Sequence, residues 1–209
     1  MRIDLLKTSP DRAGRYWVTF DDGMKLALYR QTVEDFGLYT GMELTDQQME
    51  SLRSAASQMS AKMRAVRIVS AANVSKRDLE ERLVRKGESP VHAREAVQWM
   101  EELHLVDDSN TAEQIVHACI QKGYGLSRAK QVLYEKRIPR ELWEDALAQY
   151  PDQMDKIERF LRERLDADSD EKEKKRAIDA LLRRGHSYSV IRKVLNELFF
   201  DSDEIYEDF

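Results

Sequence analysis

Three segments of this chain match one another in register, and that internal repetition limits its fold more than any other feature. Residues 75–87, 127–137 and 176–185 align when Leu83 is laid on Leu133 and Leu133 on Leu181, offsets of 50 and 48 residues. The same registration carries Ala96-Val97 over Ala146-Leu147 and over Val194-Leu195 without adjustment. Each unit therefore reads as a helix, an anchor helix ending in basic side chains, a turn, and a following helix. Burying one Leu, Ile or Met contributes roughly 1.5–3 kcal/mol, so three short helices alone barely offset the entropy of ordering their chain. Stacked units share cores. The expectation is a mainly α-helical tandem array of three three-helix repeats, elongated and curved, with each repeat touching mainly its neighbours.

Ahead of the repeats, Tyr16, Val18 and Phe20 alternate with Arg15, Trp17 and Thr19, then Asp21-Asp22-Gly23 interrupts, and Leu26 and Leu28 alternate again. This predicts a β-hairpin, because Asp-Gly supplies the positive φ angles that tight hairpin turns need. Residues 3–6 are a candidate third strand, the minimum for a stable small sheet. A short helical turn is expected over residues 33–38, closed near Gly37 and Gly41. Thr45 and Gln48 then form a capping-box signature before a long helix whose apolar stripe is Met49, Leu52, Ala56, Met59, Met63 and Val66.

Further along, Ser89-Pro90 predicts an N-cap followed by a first helical residue, Pro139 and Pro151 fit the same slot, and Ser187 caps the last helix. The stripes Ala112, Ile115, Val116, Cys119, Ile120 and Met154, Ile157, Phe160, Leu161, Leu165 supply the first helices of the second and third units. Residues 166–175 read as a solvated charged linker. On this division, residues 1–44 form a β-hairpin region with a short helix. Repeats follow at 45–106, 107–150 and 151–209, the last with an acidic tail over 201–209.

Charged residues make up 35% of the chain and glycine and proline only 8 and 4 positions, the usage of helical surfaces. Lys and Arg against Asp and Glu number 9 to 9 in residues 1–65, 13 to 14 in 66–150 and 12 to 16 in 151–209. A net charge of −5 argues against nucleic acid as a dominant, stand-alone partner. The N-terminus shows no apolar signal region and no stretch of about 18 apolar residues occurs, so a cytoplasmic protein is expected. The single Cys119 reads as a packed side chain with no disulfide or zinc partner.

No nucleophile with its base, no metal-ligand spacing and no carboxylate pair stands out, so no catalytic residue, metal or cofactor is expected, and the chain is read as a binding protein and not an enzyme. His92, His104, His117 and His186 are isolated and read as surface or boundary residues. Gly123-Tyr124-Gly125 lacks the Gly-Lys-Ser/Thr of a phosphate loop and reads as a helix-to-helix turn. What recurs is basic charge. Arg85-Lys86, Lys136-Arg137 and Arg183-Arg184 end the three anchor helices. Two readings stand: cations complementing each helix dipole, at a few tenths to about 1 kcal/mol, or an aligned row that meets an acidic, repeating partner. With Arg82, Lys122, Arg128 and Lys130, these are the candidate partner-binding residues.

The order hairpin, long helix, three three-helix units resembles the RecX family, bacterial regulators of the RecA recombinase. Residues 75–87 resemble its basic anchor segment ending in Arg-Lys-Gly. Leu105-Val106-Asp107-Asp108 resembles its Leu-Leu-Asp-Asp turn, and Lys122-Gly123-Tyr124-Gly125 with Arg128 and Lys136 resembles the segment opening its second unit's middle helix. The chain departs from the pattern at Leu126, where proline is usual, at Arg137, where glycine is usual, and at Thr111, where an aromatic residue is common. The resemblance covers essentially the whole chain. It implies a monomeric protein that binds in the groove of the RecA filament on DNA and modulates, chiefly inhibits, ATP hydrolysis, strand exchange and co-protease activity, with secondary contact to DNA. That role belongs to homologous recombination, DNA repair and the SOS response. The alternative is a DNA-binding module of helix-turn-helix type, since short helices joined by Gly-containing turns also occur there.

Overall fold

At Asp21-Asp22-Gly23 the chain reverses, with Gly23 at φ +83° and the Met24 N–H donating to the Asp22 Oδ1 at 2.9 Å. The turn joins β2 (Arg15–Phe20) to β3 (Lys25–Tyr29), paired antiparallel with Val18 opposite Leu26. β1 (Ile3–Thr8) pairs with β2 on its other edge, so the third strand expected from residues 3–6 is present and the order is β1-β2-β3. Alternation sends Ile3, Val18, Phe20 and Leu28 inward and leaves Trp17 46% exposed on the opposite face. In this computed structural model, residues 1–10, 14–166 and 168–199 are described; the acidic tail over 201–209 lies outside them.

The chain separates into two compact units, Met1–Asp107 and Asp108–Phe209. In the first, α1 (Arg30–Asp35) starts three residues earlier than its predicted turn, directly where β3 ends, and Gly37 follows it at φ +56°. The 26-residue α2 (Asp46–Ala71) opens with the predicted capping box: the Gln48 N–H donates to Thr45 Oγ1 and the Thr45 N–H to Gln48 Oε1. Its predicted stripe holds for Met49 and Leu52, which enter the sheet's core, but not for Met59 and Met63. Ala61 and Ala65 are the buried residues there, packed with Leu79, Leu83, Ala93, Ala96 and Met100 of α3 (Lys76–Arg85) and α4 (Pro90–Glu102). The helix serves two cores in succession. In the second, alanines let helix backbones approach, which methionine's length prevents.

The second unit contains α5 (Asp108–Gln121), α6 (Leu126–Glu135), a 3-10 turn (Arg140–Leu142), α7 (Trp143–Leu147), α8 (Met154–Arg162), α9 (Glu171–Arg183) and α10 (Tyr188–Phe199). Ala112, Val116, Leu133 and Ile138 form one core; Ile157, Phe160, Leu161, Leu181, Ile191 and Val194 belong to another. Two expectations change. Pro151 is not a first helical residue, since α8 begins at Met154 behind Gln153, and Pro139 precedes only the 3-10 turn. The charged segment 166–175 is not all linker: Asp170 and Glu173 exchange bonds in a capping box, which starts α9 at Glu171.

The three anchor helices end in the same hydrogen-bonded turn. Leu83, Leu133 and Leu181, all essentially fully buried, accept through their carbonyls from the N–H groups of Glu88, Ile138 and His186 at 3.1, 3.1 and 3.2 Å. The residue between is left-handed each time: Gly87 at φ +92°, Arg137 at +60° and Gly185 at +84°. This is the Schellman ending, whose left-handed position glycine normally fills. Arg137 takes the strain of a β-carbon there. Arg137→Gly is therefore expected to stabilise the second unit by about 0.5–1 kcal/mol, raising the midpoint of its urea transition.

Candidate protein-interaction surfaces

The first unit positions three of the candidate cations on α3. Arg82 is half-buried and pairs with Asp78 one turn earlier at 2.8 Å, an i,i+4 pair that supports the helix. Arg85 and Lys86 stand exposed at the helix end. They are not what caps it: Arg64, reaching across from α2, donates to the Lys86 carbonyl and pairs with Glu88 at 3.0 Å. Sequence reasoning missed Arg64, because it lies in α2, more than twenty residues upstream, with no periodic signal tying it to α3. Arg64 serves the Lys86 carbonyl from outside the helix, and the Arg85 and Lys86 side chains are exposed to solvent.

The second unit brings the second and third repeats together through backbone. The Gly125 N–H donates to the Arg184 carbonyl at 2.9 Å and the Ser127 N–H to the Gly185 carbonyl at 3.3 Å. A Cβ on Gly125 would lie 2.1 Å from the Gly185 oxygen, and one on Gly185 2.3 Å from the Arg128 nitrogen. Tyr150 donates its hydroxyl to the Tyr124 carbonyl at 2.7 Å, and burial pushes its pKa up to about 12. Lys156, a second cation outside the predicted set, reaches from α8 to the Ile120 carbonyl at the end of α5. The Gly123-Tyr124-Gly125 segment is the expected inter-helix turn, and what it cradles is the neighbouring repeat.

Around this junction the structure gathers Lys122, Arg128 and Arg184. Arg128 pairs with Glu135 at 3.3 Å, and Arg184 lies 4.8 Å from the Phe160 ring centre, with Arg164 at 3.9 Å from the same ring. Lys122 is exposed, as are Lys130 on α6 and Arg183 on α9. Lys136 and Arg137 are exposed at the far end of α6, about 15 Å along the helix from Gly125. Within the second unit, the predicted cations thus fall mainly at the two ends of α6, with Lys130 midway along it and Arg183 on α9.

Two buried groups complete the picture. Burial raises the Cys119 thiol above its ordinary value, against the lowering effect of Lys122 and Arg128, which keeps it protonated and unreactive. His186 is not the surface or boundary residue expected. It follows the left-handed Gly185 and is buried against the adjoining turn, its Nε2 3.0 Å from the Gly123 carbonyl. Burial lowers its pKa, the bond to Gly123 opposes that, and the Arg184 charge adds to the lowering. A histidine held neutral in the fold contributes stability that is present above its unfolded value of 6.5 and is lost as pH falls from there through the lowered folded value. The second unit is therefore expected to lose resistance to urea below pH 6.5, and His186→Gln to flatten that dependence.

Among the described residues no group of three or more His, Cys, Asp or Glu is placed to hold a metal ion, and no helix is long and apolar enough to cross a membrane. Comparison with known proteins places these repeats. Residues 107–147 match the profile of the second three-helix domain of RecX, and residues 152–195 that of the third. Regulatory protein RecX of Clostridioides difficile is 27% identical over 215 residues, 98% of this chain and 98% of the relative. That of Vibrio parahaemolyticus is 27% identical over 69% of this chain and 94% of its own. A crystal structure of regulatory protein RecX superimposes with a TM-score of 0.66 over 93% of this chain and 98% of that chain, at 21% identity. RecX from Lactobacillus salivarius gives 0.61 over 69% and 97%, at 24% identity.

Proposed function

This chain belongs to the RecX family of regulatory proteins, and from that premise we propose that it binds RecA filaments assembled on DNA and restrains their ATPase, strand-exchange and co-protease activities. The observation that carries the reading is the recurrence of one anchor turn, with a buried leucine inside and exposed cations beside it, in three successive repeats. A single such turn would be ordinary helix capping. Three, at offsets of 50 and 48 residues, give one chain several equivalent contacts, which suits a partner that also repeats. On this reading residues 45–106, 107–150 and 151–209 act as successive contact modules and residues 1–44 as the N-terminal module. Arg85, Lys86, Lys122, Lys130, Lys136, Arg137 and Arg183 face the filament, while Arg82, Arg128 and Arg184 hold the repeats in shape. The protein acts as a monomer in the cytoplasm, with DNA touched only inside the filament.

The contacts made by several modules are individually weak and collectively strong, so inhibition should appear at fewer than one molecule per recombinase subunit. The test is strand exchange and single-strand-dependent ATP hydrolysis by the recombinase of the same host, titrated with the purified protein. Substoichiometric loss of both supports the reading. No effect on those filaments, or salt-steep binding to bare duplex that the recombinase does not strengthen, overturns it.

A further inference from the structure

The first unit contains a cavity of about 680 Å³ that the repeats do not explain, set among Arg15 of β2, Tyr29 at the end of β3, the start of α1, and Met59, Met63 and Arg67 of α2. Its floor is a phenol approached by two guanidiniums. Arg15 lies 3.8 Å from the Tyr29 ring centre and donates Nη2–H to the Tyr29 oxygen at 2.8 Å; Arg67 donates to the same oxygen at 3.0 Å. That oxygen accepts two bonds, which leaves its own proton to donate. Among the described residues neither Arg15 nor Arg67 meets a carboxylate, and the buried Arg15 Nε meets no acceptor. At the rim, Arg30 is already paired with Glu34 at 3.1 Å. Buried donors in folded proteins nearly always have partners, so one unanswered among the described residues, beside two guanidiniums that meet no described carboxylate, marks a place for an anion.

The walls narrow the class of anion. Met59 and Met63, the two residues displaced from the core stripe, line the cavity instead and offer an adaptable apolar surface. A nucleic-acid backbone is repeatedly charged and needs a track of cations, but residues 1–65 balance nine cations with nine anions and Glu34 stands at the rim. A carboxylate next to an apolar side chain meets each feature. We infer that this cavity is a docking site for an acidic peptide segment of a partner protein, its carboxylate held by Arg15, Tyr29 and Arg67 and its neighbouring apolar side chain against Met59 and Met63.

The test is fluorescence anisotropy with the full chain and a fluorescein-labelled hexapeptide of alternating glutamate and leucine. Saturable binding is expected, weakened about tenfold by Arg67→Gln, an exposed position on α2, and several-fold by Tyr29→Phe, which keeps the ring. Unchanged melting temperatures in both variants separate lost binding from lost fold. The inference is overturned by absence of saturable binding, by equal affinity in Arg67→Gln, by equal binding of a lysine-leucine peptide, or by displacement of the peptide with an oligothymidine at lower concentration than unlabelled peptide. Because the chain is measured alone, failure here leaves the filament reading standing.

Discussion

Replacing Gly125 with alanine is expected to destabilise the second unit by about 3 kcal/mol, the upper end of the usual cost of overpacking, and to separate its two repeats. The added carbon would lie 2.1 Å from the Gly185 oxygen, 2.3 Å from the Gly185 carbonyl carbon and 2.4 Å from the His186 nitrogen. All three are backbone atoms, and Gly185 sits in a hydrogen-bonded turn that has no alternative rotamer to adopt. Relief requires moving the turn, which breaks the Gly125 bond to Arg184 and the His186 contact with Gly123. Gly87→Ala is the contrasting control. Gly125 has an ordinary φ of −77° and suffers only the close approach, whereas Gly87 is left-handed, at φ +92°, with nothing within 4 Å of its missing side chain, so there only the conformational cost of about 1 kcal/mol applies. Urea unfolding followed by hydrogen exchange should show Gly125→Ala losing protection in residues 108–199 with 1–107 unaffected. Equal effects of the two substitutions would mean the close approach carries no load.

The second large effect concerns the exposed cations. Changing Arg85, Lys86, Lys136 and Arg137 together to glutamate is expected to weaken inhibition of the recombinase about thirtyfold or more. Four exposed charge contacts at about 0.5 kcal/mol each give roughly that factor before repulsion is counted. Reversal also places acidic groups at helix C-termini, where each costs a few tenths of a kcal/mol against the dipole. The glutamine versions remove attraction without that penalty and should retain an intermediate inhibition. Circular dichroism and the urea midpoint identify any variant whose fold has suffered. Inhibition unchanged in the folded glutamate variant would leave these cations with the complementing of helix dipoles alone.

How far the sequence could be read depended on the range of the interaction concerned. The β-hairpin at Asp21-Asp22-Gly23, the capping box at Thr45 and Gln48, the Ser89 cap, and the three leucine anchors are all set by neighbours within a few residues. Each is written as spacing. The change of face along α2 is not, because whether Met59 or Ala61 turns inward depends on how closely α4 approaches. Gly125 reads as a turn glycine, yet its backbone has ordinary φ and the residue is required by Gly185, sixty positions later. Arg64 and Lys156 cap helices from outside them, and His186 is buried by a turn belonging to another repeat. Of the candidate site, the residue types and the repetition were legible. Which cations are committed to structure, as Arg82 is to Asp78 and Arg184 is to Phe160, depends on three-dimensional neighbours.

The passage of α2 from one core to the next bears on how this molecule can be altered. Met49 and Leu52 are shared with the strands, Ala61 and Ala65 with the first repeat, and both pairs ride on one uninterrupted rod about 39 Å long. A break at either end leaves the other with half a helix whose inner side has no cover. The strands are accordingly not a removable ornament on the repeats: a shortened chain starting at Asp46 would lose the covering of Met49 and Leu52, and grafting the strands elsewhere would require carrying α2 with them. Loss of order anywhere in the first 107 residues should therefore spread through all of them as a single event.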